Sequence, residues 1–291
     1  MSAGPFDCIP LLACPVCAAP LQKSDRALRC PNRHSFDIAR EGYVNLLPTG
    51  HGKSGITGDS AEMVDARRRI FAHEFFAPLA ERLAAIASTL DPDSVLDAGC
   101  GTGYYLGYLY NRLVGDAEQR TGETRQRCWI GTDVSKPAIR RAARDHRDLL
   151  FLLNDIKHRL TIQSGTIDLL LNNFAPRNVN EFARVLAHDG VLLVVIPADD
   201  HLRELRTRFN LLDIGAEKRE RTIDQLAAQF TLESDEELAY SIVLGEGDAA
   251  DLLRMTPNYW HLPPEVFSAA EELKGLAVSM GFRILKFRKR G

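Results

Sequence analysis

The sequence predicts an α/β fold of the Rossmann-like kind, a mostly parallel sheet with helices on both faces, preceded by a small Cys- and His-bearing module. Three observations predict it. Short apolar runs alternate with amphipathic stretches over residues 94–196, a glycine-rich turn ends the first of those runs, and the cysteines crowd at the N-terminus. The 291 residues, 45% hydrophobic and 26% charged, suit one large domain plus a small module and exclude a disordered or fibrous chain. No apolar run reaches the roughly 20 residues that cross a bilayer. The opening Met-Ser-Ala-Gly-Pro-Phe-Asp-Cys also lacks the basic start and apolar stretch of a signal peptide, so no membrane and a cytoplasmic location are expected.

Cys14-Pro-Val-Cys17 and Cys30-Pro-Asn-Arg-His34 form C-x2-C-x12-C-x3-H. That spacing supplies three thiolates and one imidazole on two knuckles, the closed tetrahedral set of one structural Zn2+. Cys8 falls outside the spacing and is read as a bystander. Over residues 14–53 the net charge is +3, against −6 for the remainder, so a basic module precedes an acidic body. The expected division is a zinc module over 1–46, a Gly-, Ser- and Thr-rich linker over 47–60 and a larger domain over 61–291.

Helical spacing of Met63, Ile70, Phe71, Phe75, Leu79, Leu83 and Ile86 predicts one or two helices over 61–87, with Pro78 at a start or kink. Strands follow at Ser94–Asp97, Cys128–Asp133, Leu149–Leu153, Ile167–Asn172 and Val191–Ile196. Helices fill the gaps at Lys136–Arg147 behind a Ser135 cap, Val179–Leu186 and Asp200–Asn210, and residues 115–127 read as a polar loop. Further on, Phe230–Leu244 reads as two strands, Asp248–Met255 and Glu265–Met280 as helices, and Phe282–Phe287 as a last strand before the basic tail Lys286–Arg290.

The strand Ser94–Asp97 runs into Asp97-Ala-Gly99-Cys-Gly101-Thr102-Gly103, a D-x-G-x-G-x-G turn opening a helix. Glycines let the backbone approach a ligand closely, and the helix start offers free N–H groups. Asp133 ends the next strand, where a carboxylate accepts from both ribose hydroxyls. A carboxylate leading the turn disfavours a pyrophosphate and suits a cation, so the pattern resembles class I S-adenosylmethionine methyltransferases, with Asp97 facing the methionine end. Asp155 after the third strand is placed to reach the adenine amine. Asn172 and Pro176 in Asn172-Asn-Phe-Ala-Pro176 end the fourth strand on the side expected for substrate.

Zinc module and glycine turn together, with Arg40-Glu-Gly-Tyr-Val-Asn-Leu-Leu47, Gly58-Asp-Ser-Ala-Glu-Met63 and Ala66-Arg67-Arg68, resemble the RlmA-type 23S rRNA (guanine-N1)-methyltransferases. The likeness leans towards actinobacterial members, some of which confer resistance to tylosin-like macrolides. It implies methylation of a guanine N1 in a 23S rRNA hairpin near the macrolide site, with the zinc module contacting RNA and a second copy of the chain as an option. It also implies cofactor roles for Gly101, Thr102, Phe76 (where relatives can carry tyrosine) and His201. A phenyl ring packs but cannot donate a hydroxyl hydrogen bond. Asp59 and Asp155 are the carboxylates considered for taking the N1 proton. Arg67–Arg69, the Arg140, Arg141, Arg144 and Arg147 face and the basic tail are considered for phosphate. A small-molecule methyltransferase, or a zinc-dependent RNA-binding protein without catalysis, are the competing readings.

Overall fold

The computed structural model describes residues 4–47, 58–115, 126–211 and 217–290; the expected linker and the 115–127 loop lie mostly outside them. A 3-10 helix over Pro5–Leu11 leads into a three-stranded antiparallel sheet of β1 (Gln22–Ser24), β2 (Ala27–Arg29) and β3 (Ser35–Asp37). The body is an eight-stranded sheet. Its strands are β4 (Val44–Asn45), β5 (Ser94–Ala98), β6 (Cys128–Asp133), β7 (Leu150–Leu153), β8 (Ile167–Asn173), β9 (Leu186–Pro197), β10 (Phe230–Val243) and β11 (Ala277–Lys289), in the order β10-β11-β9-β8-β5-β6-β7-β4. Pairing is parallel from β4 to β9 and antiparallel where β11 meets β9 and β10.

Helices α1 (Ala61–Ala72) and α2 (Ala77–Leu90) precede the sheet's first central strand, Pro78 sitting in the first turn of α2, where a missing N–H costs nothing. Next come α3 (Tyr104–Tyr110), α4 (Lys136–Asp145), α5 (Val179–Val185), α6 (Arg203–Phe209), α7 (Lys218–Leu226), α8 (Asp248–Arg254) and α9 (Pro264–Glu271). Ser135 caps α4 as expected, accepting from Ala138 N–H at 3.3 Å.

Because successive strand residues face opposite sides, the buried strands divide into two cores. Val95, Trp129, Phe151 and Leu153 pack on one face with Leu79, Leu83 and Leu106 from the helices. Leu96, Ile130, Leu150 and Leu152 pack on the other with Leu12, Leu21, Leu28, Val44 and Leu46. The zinc module therefore serves as part of the second face's cover. It is sewn in by β4 pairing with β7, by Ala13 N–H donating to Thr161 O at 2.9 Å, and by Gln163 N–H donating to Leu11 O at 2.8 Å. Glu41 pairs with Arg140 and Arg144 of α4, which hold its carboxyl down at about 2. Cys8, bystander to the zinc spacing, is buried and hydrogen-bonds to Cys128 at the start of β6.

The C-terminal third departs from expectation. Phe230–Val243 is one strand, with a bulge between Leu232 and Ser234 in place of the expected break. The helix expected over Glu265–Met280 stops at Glu271; Gly275 turns at φ +72°, and the chain continues as β11, which takes in the expected tail as far as Lys289. The reason is cross-strand: β11 pairs with β9 on one side and β10 on the other and buries Met280, Phe282, Ile284 and Phe287, and acids on β10 face bases on β11 in the pairs Asp235–Arg283, Glu237–Arg283, Glu233–Lys286 and Glu233–Arg288. Most of the basic faces expected for phosphate are taken up likewise, Arg69 by Asp251, Arg141 by Asp145, and Arg140 and Arg144 by Glu41.

Candidate functional site

The sheet order reverses beside β5, which has β6 on one side and β8 on the other. A crevice therefore opens beyond the carboxyl ends of β5 and β8, the place where doubly wound sheets bind ligands. Here a cavity of about 640 Å³ is lined by Gly99 and Cys100 after β5, Asn173 to Arg177 after β8, Ile196 and Pro197 ending β9, and Arg67 and Phe71 of α1. Phe76, His201 and Pro176, singled out from the sequence, also line it.

The glycine turn has the predicted character. Gly99, Gly101 and Gly103 have φ of +90°, +54° and +77°, values that glycine adopts freely. A Cβ at Gly99 would lie 2.3 Å from Ala175 Cβ, and one at Gly103 would press on the Phe151 ring at 2.9 Å. At Gly101 the nearest atom is Nη1 of the flexible Arg67, at 3.2 Å. Thr102 is buried within the turn.

Asp97 is 1% exposed, and neither carboxyl oxygen has a hydrogen-bond partner among the described residues. Burial, with the Asp133 carboxylate nearby, pushes it up to about 8. Such a group suits a cation. Arg67, paired with Asp59 at 2.7 Å, reaches the same turn from α1. Opposite charges thus flank the turn, which fits the ammonium and carboxylate of an amino-acid zwitterion. Asp133 accepts from Gly101 N–H at 2.9 Å and Ser135 N–H at 2.8 Å, one bond per oxygen, leaving lone pairs for hydroxyls. Together these fit S-adenosylmethionine.

A proton linkage follows. At pH 7 a carboxyl with its midpoint at about 8 is mostly protonated, and a docked cation would ionise it. Cofactor binding is therefore expected to release close to one proton per site. Calorimetry in phosphate and in Tris measures this, since the buffers differ in ionisation enthalpy; identical apparent enthalpies would mean that no proton leaves Asp97. The sign for stability is the reverse of an ion-paired carboxylate, because the folded state holds this proton more tightly. Asp97 therefore contributes stability below the unfolded pKa, near 3.9, and loses it as pH rises towards about 8.

Other sequence-selected residues fall into place differently. Asp155 is buried with its carboxylate engaged by Lys157 N–H at 2.9 Å and by His158 Nδ1 at 2.9 Å, while the neighbouring Asn154 Oδ1 has no hydrogen-bond partner among the described residues. Asp59 is held by Arg67 and Asp155 by Lys157 N–H and His158, so each carboxylate is already engaged, which weakens the geometric ground for either as proton acceptor. Asn172 stands behind the wall, its amide donating to Ala98 O at 3.1 Å and Pro176 O at 3.0 Å, while Asn173 faces the cavity. Phe76 packs edge-on to Phe71 at 5.5 Å and near Phe282 at 5.7 Å, the packing role open to a phenyl ring. His201 lies 4.8 Å from the Phe282 ring, and burial, Arg206 and Lys218 push it down to about 3, leaving a neutral imidazole.

Sequence reasoning placed the stretch Asn172-Asn-Phe-Ala-Pro176 on the substrate side without singling out Asn173 or Phe174, and it missed Arg177, Lys218 and Tyr105 as lining residues. Lys218 opens α7 and Arg177 sits in the turn before α5, and no local signal says which way they point. Burial lowers both cations, and for Lys218 the Arg177 charge adds to it.

At the other end of the chain, the ligand atoms of Cys14, Cys17, Cys30 and His34 lie within 4.8 Å of one another. Cys14 Sγ and Cys30 Sγ are 3.5 and 3.3 Å from His34 Nδ1, and Cys17 Sγ is 3.7 Å from Cys30 Sγ. Those are about the edges of a tetrahedron with zinc bonds of about 2.0 to 2.3 Å, so the residues fit a closed structural zinc site. The Ala19 N–H and the Asn32 side chain hold the Cys17 thiol down at about 6, favouring the thiolate.

Comparison with known proteins agrees with both halves of this geometry. A family model described as "RlmA, N-terminal", a zinc ribbon, matches residues 12–55. The chain is 39% identical to the 23S rRNA (guanine(748)-N(1))-methyltransferase of Streptomyces fradiae over 91% of each chain. It is 37% identical, over 97% of this chain and 98% of the other, to a protein of Micromonospora griseorubida provisionally named a 23S rRNA guanine-N1-methyltransferase. A Bacillus subtilis relative with the same provisional name is 31% identical over 94% of this chain and 96% of its own. The chain therefore belongs to the RlmA-type family of 23S rRNA (guanine-N1)-methyltransferases.

Proposed function

We propose that this chain transfers the methyl group of S-adenosylmethionine to N1 of a guanine in a 23S rRNA hairpin near the macrolide site. The observation that carries the reading is that the glycine turn after Asp97, a carboxyl with no hydrogen-bond partner among the described residues, opens through Gly99 and Cys100 onto a cavity whose described lining holds Arg67, Arg177, Arg206 and Lys218 but no carboxylate. A cationic cofactor fits one end, and the other suits a polyanion's base and phosphate. Bound S-adenosylmethionine supplies an electrophilic methyl group. In this reading Asp97 and Arg67 orient its amino-acid end, Asp133 its hydroxyls, Thr102 and Gly103 support the turn, and Phe71, Phe76, Tyr104 and Tyr105 keep water from the reacting atoms. Guanine N1 is hidden in Watson–Crick pairing, so the base must enter unpaired or flipped. In this reading the enzyme works in the cytoplasm, where ribosomal RNA is found; no helix among the described residues is long and apolar enough to cross a membrane. Sedimentation equilibrium decides whether a second copy takes part.

The zinc module, residues 1–46 in this division, docks the RNA. Arg26, Arg29, Arg33 and Arg40 are exposed, and no carboxylate among the described residues pairs with them, in contrast to Arg140 and Arg144. Changing Arg26, Arg29 and Arg33 together to Gln is expected to weaken hairpin binding about tenfold or more at low salt and to flatten the salt slope by roughly one unit per lost phosphate contact. Cofactor affinity should stay put. Filter binding at two salt concentrations checks it; an unchanged slope assigns the docking elsewhere. The overall function is tested by methylating ribosomal RNA from a strain lacking the protein and mapping the product by mass. A methyl group on a position other than guanine N1 would count for a different RNA activity, and no incorporation for a small-molecule substrate.

A further inference from the structure

Asn173 ends β8 and lines the cavity at 6% exposure, with neither Oδ1 nor Nδ2 hydrogen-bonded among the described residues. A buried amide unmade at both ends is unfavourable, and the adjacent Asn172 shows that this strand end can satisfy such an amide donor. Phe174 follows it, 43% exposed, at φ +56°. A bulky side chain rarely adopts that backbone. Its N–H donates to Val195 O at 3.0 Å, which holds the conformation, and its ring stands 5.7 Å from Phe282 and 6.4 Å from Tyr105 on the cavity wall. A strained, exposed aromatic ring beside an unsatisfied amide provides the two contacts an unstacked base needs, a face to lie on and a partner for its edge.

We propose that Phe174 stacks on the flipped guanine and that Asn173 Nδ2 donates a hydrogen bond to guanine O6. The proposal rests on the guanine-N1 reading above. In that reaction the N1–carbon bond forms as the carbon–sulfur bond breaks, its electron pair staying on sulfur, and the N1 proton passes to water. As N1 gives up its proton, negative charge spreads onto O6. A donor at O6 then binds the transition state more strongly than the ground state. This matters because the described lining holds no carboxylate and His201 is held neutral as a weak base.

Single-turnover methylation of a hairpin RNA across pH, with cofactor affinity from calorimetry, tests this. Asn173→Ala is expected to be slower on the order of 100-fold at neutral pH with cofactor affinity within about twofold. Its rate should go on rising with pH where that of the unaltered protein has levelled. Asn173→Asp, nearly isosteric and keeping the fold if Ala does not, should be at least as slow. Phe174→Ala should raise the RNA KM by about tenfold, Phe174→Tyr should restore it, and Phe174→Gly should lose activity without losing thermal stability. An unchanged rate and pH profile in both Asn173 variants overturns the proposal. So does a loss of cofactor affinity as large as the loss of rate, which would assign the amide to the cofactor. If the unaltered protein itself leaves guanine N1 unmethylated, the functional reading fails first, and that result is distinct from either.

Discussion

Cys30→Ser is expected to release the zinc and to lower the melting temperature of the whole chain, not of the N-terminal module alone. Cys30 is buried, and its Sγ touches both His34 Nδ1 and Cys17 Sγ. Zinc binding in isolated finger peptides is worth about 10 to 16 kcal/mol, an upper bound for what its loss removes here. The loss spreads because Leu12, Leu21, Leu28, Val44 and Leu46 share one core with Leu96, Ile130, Leu150 and Leu152 of the sheet. Deleting residues 1–46 goes further, stripping β4 from the β7 edge and uncovering that core, so the truncated chain is expected to unfold rather than to keep cofactor affinity. Elemental analysis with scanning calorimetry checks the point variant. A metal-free protein that melts at the original temperature would refute the shared core.

Gly99→Ala is expected to abolish cofactor binding and methyl transfer, whereas Gly101→Ala should keep cofactor affinity within about tenfold, since a single left-handed alanine costs roughly 1 to 2 kcal/mol. The two positions look alike in sequence, and Gly101 reads as the place where backbone meets ligand. Their surroundings separate them. At Gly99 the added methyl falls 2.3 Å from Ala175 Cβ, joining φ +90° to a collision between two chain segments that cannot swing aside. Relief would move the Asn173–Pro176 turn and reshape the cavity. At Gly101 only the end of Arg67 must shift. Calorimetry with S-adenosylmethionine and single-turnover methylation rank the two. Equal affinities would show that the turn tolerates the displacement of Ala175.

Legibility followed the range of the interactions. The zinc ligands could be read because they lie on two short knuckles whose spacing alone sets the geometry. The strands from Ser94 to Ile196 could be read because their two buried faces leave apolar runs, and the Ser135 cap because capping is a bond to a backbone three residues away. The full length of Phe230–Val243 and Ala277–Lys289, read only as two strands and a short last one, could not be read, since it is set by their pairing with each other and with β9 across more than forty residues of chain. Asn172 and Asn173 are neighbours of one type. Which of them tied down the turn and which was left facing the cavity depended on Ala98 O, 74 residues away in sequence.

The sequence by itself determined the metal set, the glycine turn with Asp97 and Asp133, and the parallel α/β body, because each is written in spacing or periodicity over a few residues to a few turns. The tertiary structure alone decided that the zinc module is part of the sheet's core, that Asp97 has no hydrogen-bond partner among the described residues, that Asp59 and Asp155 are already engaged, and that Asn173 and Phe174 face the cavity. Burial, partnership and strain are properties of contacts between segments far apart in the chain, and those contacts exist only once the crevice between β5 and β8 has formed.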